Sequence, residues 1–172
     1  MTERSEPQRI ADERTTLVEF LDYYRATLAI KIDGLSDEQA RTASVPPSDL
    51  NLLGLVRHMA EVERSWFRWR FAGGEVGPLY YGDAHPTGDE DGDLHPGPDD
   101  TVTEALATWQ NEIAFARELT ARTELYAVSA GHAGKRGPNN LRWVLVHLIE
   151  EYARHCGHAD LLRETIDGAK GD

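Results

Sequence analysis

Three imidazoles and a carboxylate fall on one stripe of a single predicted helix. His147, Glu151 and His155 are spaced i, i+4, i+8 in the run Leu141 to Ile166. At about 100° per residue, each four-residue step drifts only about 40° round the axis, and His158 falls inside the same arc. A buried stripe would ordinarily carry Leu or Ile there. Imidazole nitrogens and carboxylate oxygens are donors for a divalent cation, and i, i+4 is the spacing by which two side chains of one helix grip one ion. A second predicted helix offers a partner, His58, beside the core position Met59. Leu55 lies three residues before His58 and Val62 four after it, so His58 points at least partly inward. His58, Glu151 and His155 form the best set. Two neutral imidazoles and one carboxylate accept zinc, the first choice, and also nickel, iron or manganese. Three protein ligands leave positions open for water or a substrate, as in a catalytic site. The competing reading is a group of hydrogen-bonded core histidines, which explains one such residue more easily than several on two helices.

Other residues have weaker claims. His147 reads as a fourth ligand, an outer hydrogen-bonding group or a packing residue, the latter two preferred. His158 is placed to orient a substrate or donate to Glu151. Glu61 and Glu63 read most simply as a solvated face, although Glu61 lies one turn from His58. Arg154, Asp160 and Arg163 read as surface charges. Among these, His158, Glu61 and Arg154 are the catalytic candidates. Cys156 points about 100° away from His155 and reads as a small packing residue. Trp66, Phe67 and Trp69 read as core or as a dimer seam, and His85 and His95 as solvated. Asp89-Glu90-Asp91-Gly92-Asp93 lacks the EF-hand calcium pattern. No P-loop, dinucleotide fingerprint or Ser-His-Asp motif is present.

Helices must position these groups. Leu17, Phe20, Leu21, Tyr24, Leu28 and Ile32 recur at helical steps and predict a helix from about Ala11 to Asp33. Ser36 and Gln39 read as a capping box over a short turn. A second long helix is predicted from near Asp49 to Phe71, on Leu52, Leu55, Met59, Val62, Trp66 and Trp69. A third starts after Thr101, capped with Glu104, and carries Leu106, Trp109, Ile113 and Leu119 inward. A fourth follows Asn139 or Asn140 and continues to about Ile166. No strand pair is predicted, and Ala130 to Gly134 reads as loop. The stretch Gly73 to Asp100, dense in Gly, Pro and Asp, reads as a long loop held over one end by Tyr80 and Tyr81. Four such helices imply an all-α four-helix bundle, one domain over residues 1–172, whose long loop permits a crossover between the second and third helices.

Composition narrows the partners. The 172 residues carry a net charge of −12, which disfavours nucleic acid and anionic membrane surfaces. No apolar run is long enough to span a bilayer, and the polar start has no signal-peptide core. One cysteine fits a reducing cytoplasm. Four tryptophans in a small bundle point to a homodimer.

At these residues the chain resembles the DinB-like superfamily of metal-binding four-helix bundles, in the branch of mycothiol-dependent maleylpyruvate isomerase and related thiol transferases. The likeness lies in Glu13-Arg14-Thr15-Thr16-Leu17, in Gly34-Leu35-Ser36-Asp37-Glu38-Gln39, in Val45-Pro46-Pro47-Ser48 and in Leu53 to Arg64. Its most specific part is Leu148 to Glu164. The resemblance implies ligands from the second helix and, four apart, from a later one: His58, Glu151 and His155. It implies a low-molecular-weight thiol such as mycothiol or bacillithiol, attacking an electrophile in a transfer, conjugation or isomerisation. The additional C-terminal domain of the isomerase has no counterpart here, which weighs against the isomerase reaction itself. A hydrolase using metal-activated water, and a non-catalytic, stress-related helical dimer with a structural metal or none, are the rival readings.

Overall fold

The structure, a computed structural model, describes residues 4–131 and 137–170. Its helices begin where short polar side chains satisfy free backbone N–H groups. Asp12 accepts from Thr15 N and opens α1, Glu13–Ile32. Ser36 and Gln39 cap each other's backbone around the single turn α2, Asp37–Ala40. Asn51 accepts from Gly54 N, so α3 spans Leu52–Glu63 and starts later than the expected Asp49. Thr101 caps α4, Val102–Ala121, and Asn140 caps α5, Leu141–Asp167.

Periodicity predicts one regular helix as far as Phe71, but α geometry stops at Glu63. From Arg64 to Phe71 the helix widens to π geometry, and Ala72 N reaches back five residues to Phe67 O at 3.0 Å. The connection between α4 and α5 closes this wide end. Ala130 N donates to Phe71 O at 2.9 Å and Gly131 N to Arg70 O at 3.1 Å. A Cβ on Gly131 would collide with the Trp69 carbonyl oxygen, so the approach requires glycine. The expected loop Ala130 to Gly134 is seen to Gly131, and its remaining residues lie outside those described. An isolated bridge between Val128 and Asn140 is the sole β pairing among the described residues.

Hydrogen bonds fix the directions. Arg142 pairs with Glu13 at the starts of α5 and α1, and Arg163 donates to Lys31 O and Asp33 O at their far ends, so the two run parallel. Arg14, at the start of α1, donates to Thr120 O and Thr123 O at the end of α4, so those two are antiparallel. Arg57 pairs with Asp100 just before α4, and Arg64 with Glu112 further along, so α3 and α4 are parallel. The order is up, down, down, up. Residues 73–100 return the chain along the bundle, the crossover that the long loop permits.

Leu28, Leu55, Met59, Phe67, Leu145 and Leu148 are fully buried or nearly so. Among them runs a polar chain with one side chain from each long helix. Arg25 of α1 donates through Nε and Nη2 to Glu63 of α3, each at 2.8 Å. The Tyr152 hydroxyl of α5 donates to Glu63 at 2.7 Å, and Trp109 Nε1 of α4 donates to that hydroxyl at 2.7 Å. Burial opposes the charge on Arg25, but Glu63 more than restores it and holds the guanidinium above its ordinary range. Glu63, read as solvated, is 0% exposed. It lies four residues after Met59 and four before Phe67, so helical register carries it inward. Arg163, read as a surface charge, instead caps the last carbonyls of α1. No described helix is long and apolar enough to cross a membrane.

Candidate metal centre

The helices α3 and α5 run antiparallel, and His58, Glu151 and His155 converge between them. One donor atom from each lies within 4.8 Å of the other two. His155 Nε2 is 3.6 Å from Glu151 Oε2. Two donors held about 2.1 Å from one ion at a near-tetrahedral angle stand about 3.4 Å apart, so this spacing suits shared coordination better than a direct hydrogen bond. The two imidazole centroids are 4.8 Å apart.

The remaining ring nitrogens are engaged. His58 Nδ1 lies 2.8 Å from Asp93 Oδ2, where the ring donates to the carboxylate. His155 Nδ1 lies 3.4 Å from His158 Nδ1. The bond to Asp93 leaves His58 Nε2 to present a lone pair to a cation, the way outer hydrogen bonds fix the tautomer of ligating histidines, and His155 does the same when its Nδ1 donates to His158. Burial, with the His58 and His158 rings beside it, pushes His155 down to about 4. Its ring is therefore neutral near pH 7, the form that binds a metal. The side chains of His58, Glu151 and His155 are 25%, 17% and 12% exposed, so the group is not sealed from a further ligand. Donor type and spacing fit a divalent ion.

A second group, His147, Glu150 and Glu151, also lies within ligand range. It fits less well. All three come from adjoining turns of one helix, and the imidazole divides its nitrogens, Nδ1 toward Glu150 and Nε2 toward Glu151. Arg154 already pairs closely with Glu150. His147 is instead packed against Trp143, with rings 5.0 Å apart and 20° from parallel, and edge-on to Trp66 at 4.5 Å. Burial lowers its pKa.

The other candidates separate. His158 meets His155 rather than Glu151. Arg154 lies on the exposed side, 3.9 Å from Glu151 Oε2. Glu61 is 5% exposed, not solvated, and its Oε1 accepts from Leu79 N at 2.5 Å and Tyr80 N at 2.7 Å. It anchors the loop through the backbone of Leu79 and Tyr80, and burial holds its carboxyl above the ordinary range despite those bonds. Phe67 is core, and Trp66 leans on Trp143 and His147. His95, read as solvated, pairs with Asp89 and Asp49. Cys156 is buried and its thiol faces Tyr24 O, as a packing residue would.

The residue that sequence reasoning missed is Asp93. A pairing rule existed, since a ligating histidine usually donates its second N–H to a carboxylate. A loop has no register, however, to select one acid from Asp89, Glu90, Asp91 and Asp93. In three dimensions α3 selects it. Arg57 Nη2 donates to Gly92 O at 2.9 Å and Asn51 Nδ2 to Leu94 O at 3.2 Å. A Cβ on Gly54 would stand 2.5 Å from Leu94 O, so glycine there admits the loop against the helix. The residue between those two carbonyls is Asp93, level with His58.

Comparison with known proteins agrees with the bundle. A solved structure titled as the conserved protein of a locus from Enterococcus faecalis is similar in fold, with a TM-score of 0.62. The two share 14% identity over 93% of this chain and 100% of that one. No curated protein matches the chain. The sequence model of a DinB-like family described as mycothiol S-transferase matches residues 16–168. That match runs from α1 to the glycine that ends α5 and takes in every residue of the centre, so the chain belongs to the mycothiol S-transferase family.

Proposed function

We propose that the chain is a metal-dependent S-transferase that couples a low-molecular-weight thiol, mycothiol or a close analogue, to a small electrophile. The observation that carries this reading is the convergence of His58, Glu151 and His155 within 4.8 Å on two helices, in a chain of this family. These three residues would hold the ion, with zinc as first choice and nickel, iron or manganese accepted by the same donors. When bound, such a cation supplies positive charge that favours the thiolate form of a thiol placed against it. The chain's own groups do the rest. Asp93 accepts from His58 Nδ1 and keeps that ring's Nε2 lone pair turned inward, and His158 lies against His155 Nδ1. Arg154 lies beside Glu151 on the open side, where a substrate would pass.

Cys156 does not compete as nucleophile. Burial pushes its thiol up to about 12, so the reacting sulfur comes from outside the chain. In the overall change the sulfur pair forms the bond to the electrophile, the leaving group departs with its bonding pair, and it takes the thiol proton. A cytoplasmic location belongs to the same reading, supported by a free cysteine. So does a homodimer, for which α5 offers Trp143 and Val146, 45% and 51% exposed.

Metal content by mass spectrometry, on wild type beside His155→Ala, is the first test. About one ion per chain, lost in the variant, is expected under three-residue coordination. Product masses from mixtures of thiol and electrophile then test transfer. Product that forms equally well without thiol would move the reading to a hydrolase.

A further inference from the structure

We infer that Asp93 is a positioning residue for the metal ligand His58, and that through it metal binding and docking of the 73–100 loop strengthen each other. This rests on the metal reading above. The argument begins with burial. Asp93 is 6% exposed, and a carboxylate withdrawn from water needs a strong donor. His58 Nδ1 supplies one at 2.8 Å. The flanking carbonyls of Gly92 and Leu94 are held by Arg57 and Asn51, so the loop backbone is fixed on both sides of the carboxylate. Arg57 also pairs with Asp100 at 2.5 Å and stacks on the Tyr80 ring at 4.4 Å, joining three parts of the loop to one side chain of α3.

This geometry gives coupling in both directions. A cation on His58 Nε2 withdraws charge from the ring and makes Nδ1–H a better donor to Asp93. In return the carboxylate makes Nε2 a better ligand and holds the ring in one orientation. Because the carboxylate belongs to the loop, whatever favours the docked loop favours metal binding, and the reverse holds by thermodynamic reciprocity. The loop is thus part of the centre although it supplies none of the three ligands.

Zinc affinity, measured by competition with a chromophoric chelator, tests this on wild type, Asp93→Asn and Asp93→Ala. The alanine variant is expected to bind about 10- to 100-fold more weakly. The asparagine variant keeps the shape and an acceptor but not the charge, so it falls between and serves if alanine fails to fold. Hydrogen exchange supplies a second readout that general loosening would not reproduce. Zinc is expected to slow the amides around 91–95 in wild type and leave them unchanged in Asp93→Ala. Equal affinities in all three proteins, or zinc-independent exchange in wild type, would overturn the inference while leaving the metal reading standing. Wild type that binds neither zinc nor nickel, manganese or iron(II) would overturn both.

Discussion

The His155 ring and the Cys156 thiol stand on consecutive residues, and the helix turns them about 100° apart into different surroundings. Burial holds the thiol up at about 12, whereas burial pushes the imidazole down to about 4. Each shift favours the neutral form. Cys156 is therefore expected to react with a disulfide reagent at pH 8 far more slowly in the native protein than in urea; equal rates would contradict its burial. The raised pKa also adds stability that is fully present below the unfolded thiol range and is lost as pH rises through the folded value. Glu63 gives a sharper test. Replacing it with Ala takes the buried carboxylate from the Arg25 guanidinium, which keeps only the half-buried Asp22, and the acceptor from the Tyr152 hydroxyl, and breaking a buried pair in this way costs about 3–5 kcal/mol. Urea unfolding of Glu63→Ala should show that loss, and a cost under about 1 kcal/mol, the range of exposed pairs, would overturn the structural role. Both residues lie on helices whose register was readable, yet only Cys156 was read correctly. Glu63 sits between Met59 and Phe67 on the inner stripe, but its charge type pointed outward because its two partners, Arg25 and Tyr152, come from other helices.

At the scale of elements, the most legible features were those encoded within about four residues. The Ser36–Gln39 box and the Thr101 cap stand where the sequence placed them, and of the two candidates Asn139 and Asn140 the latter caps α5. The π-helical stretch after Glu63 was not legible, because its wide turns are closed by Ala130 and Gly131 from the α4–α5 connection. The docked loop was half legible: Tyr80 anchors it as expected, while the pairing of Asp93 with His58 depends on a close approach at Gly54. Gly54→Ala should force Leu94 away, cost about 1–3 kcal/mol in urea unfolding as overpacking does, and weaken zinc binding with it. A variant as stable as wild type would mean that the loop seats without that approach. The loop also carries a pH-dependent tie. The hydrogen bond to Asp89 raises His95 above its ordinary pKa, with Asp49 adding to it, and Asp89 is lowered in turn. A raised histidine stabilises below the unfolded histidine range, and the contribution is lost as pH rises through the folded value. The effect is small because the pair is largely solvated. In an NMR titration His95 should titrate above a free histidine and return to the ordinary range in Asp89→Asn.

For the whole molecule, helix count and the crossover came from four apolar stripes and one long loop, since a bundle is the way such stripes are buried together. The relative directions did not, because they are fixed by contacts such as Arg163 with the end of α1 and Arg14 with the end of α4. The up, down, down, up order places α3 and α5 antiparallel side by side, with two of the proposed ligands on one and the third on the other. An ion bound between them, as proposed, would link the first half of the chain to the second and would bind the folded state alone, since only folding brings His58 to Glu151 and His155. Zinc at 100 times its dissociation constant then adds about 2.7 kcal/mol to stability. For a chain of this size each kcal/mol moves the melting temperature by about 2–4 °C, so the expected rise is about 5–11 °C. His155→Ala should abolish the rise while keeping an apo melting temperature near wild type, because the replaced ring lies at the partly exposed edge of the α3–α5 seam and not in the apolar core. Calorimetry with and without zinc on both proteins separates the outcomes. A rise that persists in the variant would place the ion elsewhere, whereas a variant already molten without zinc would make His155 a packing residue and return the histidine stripe to the core.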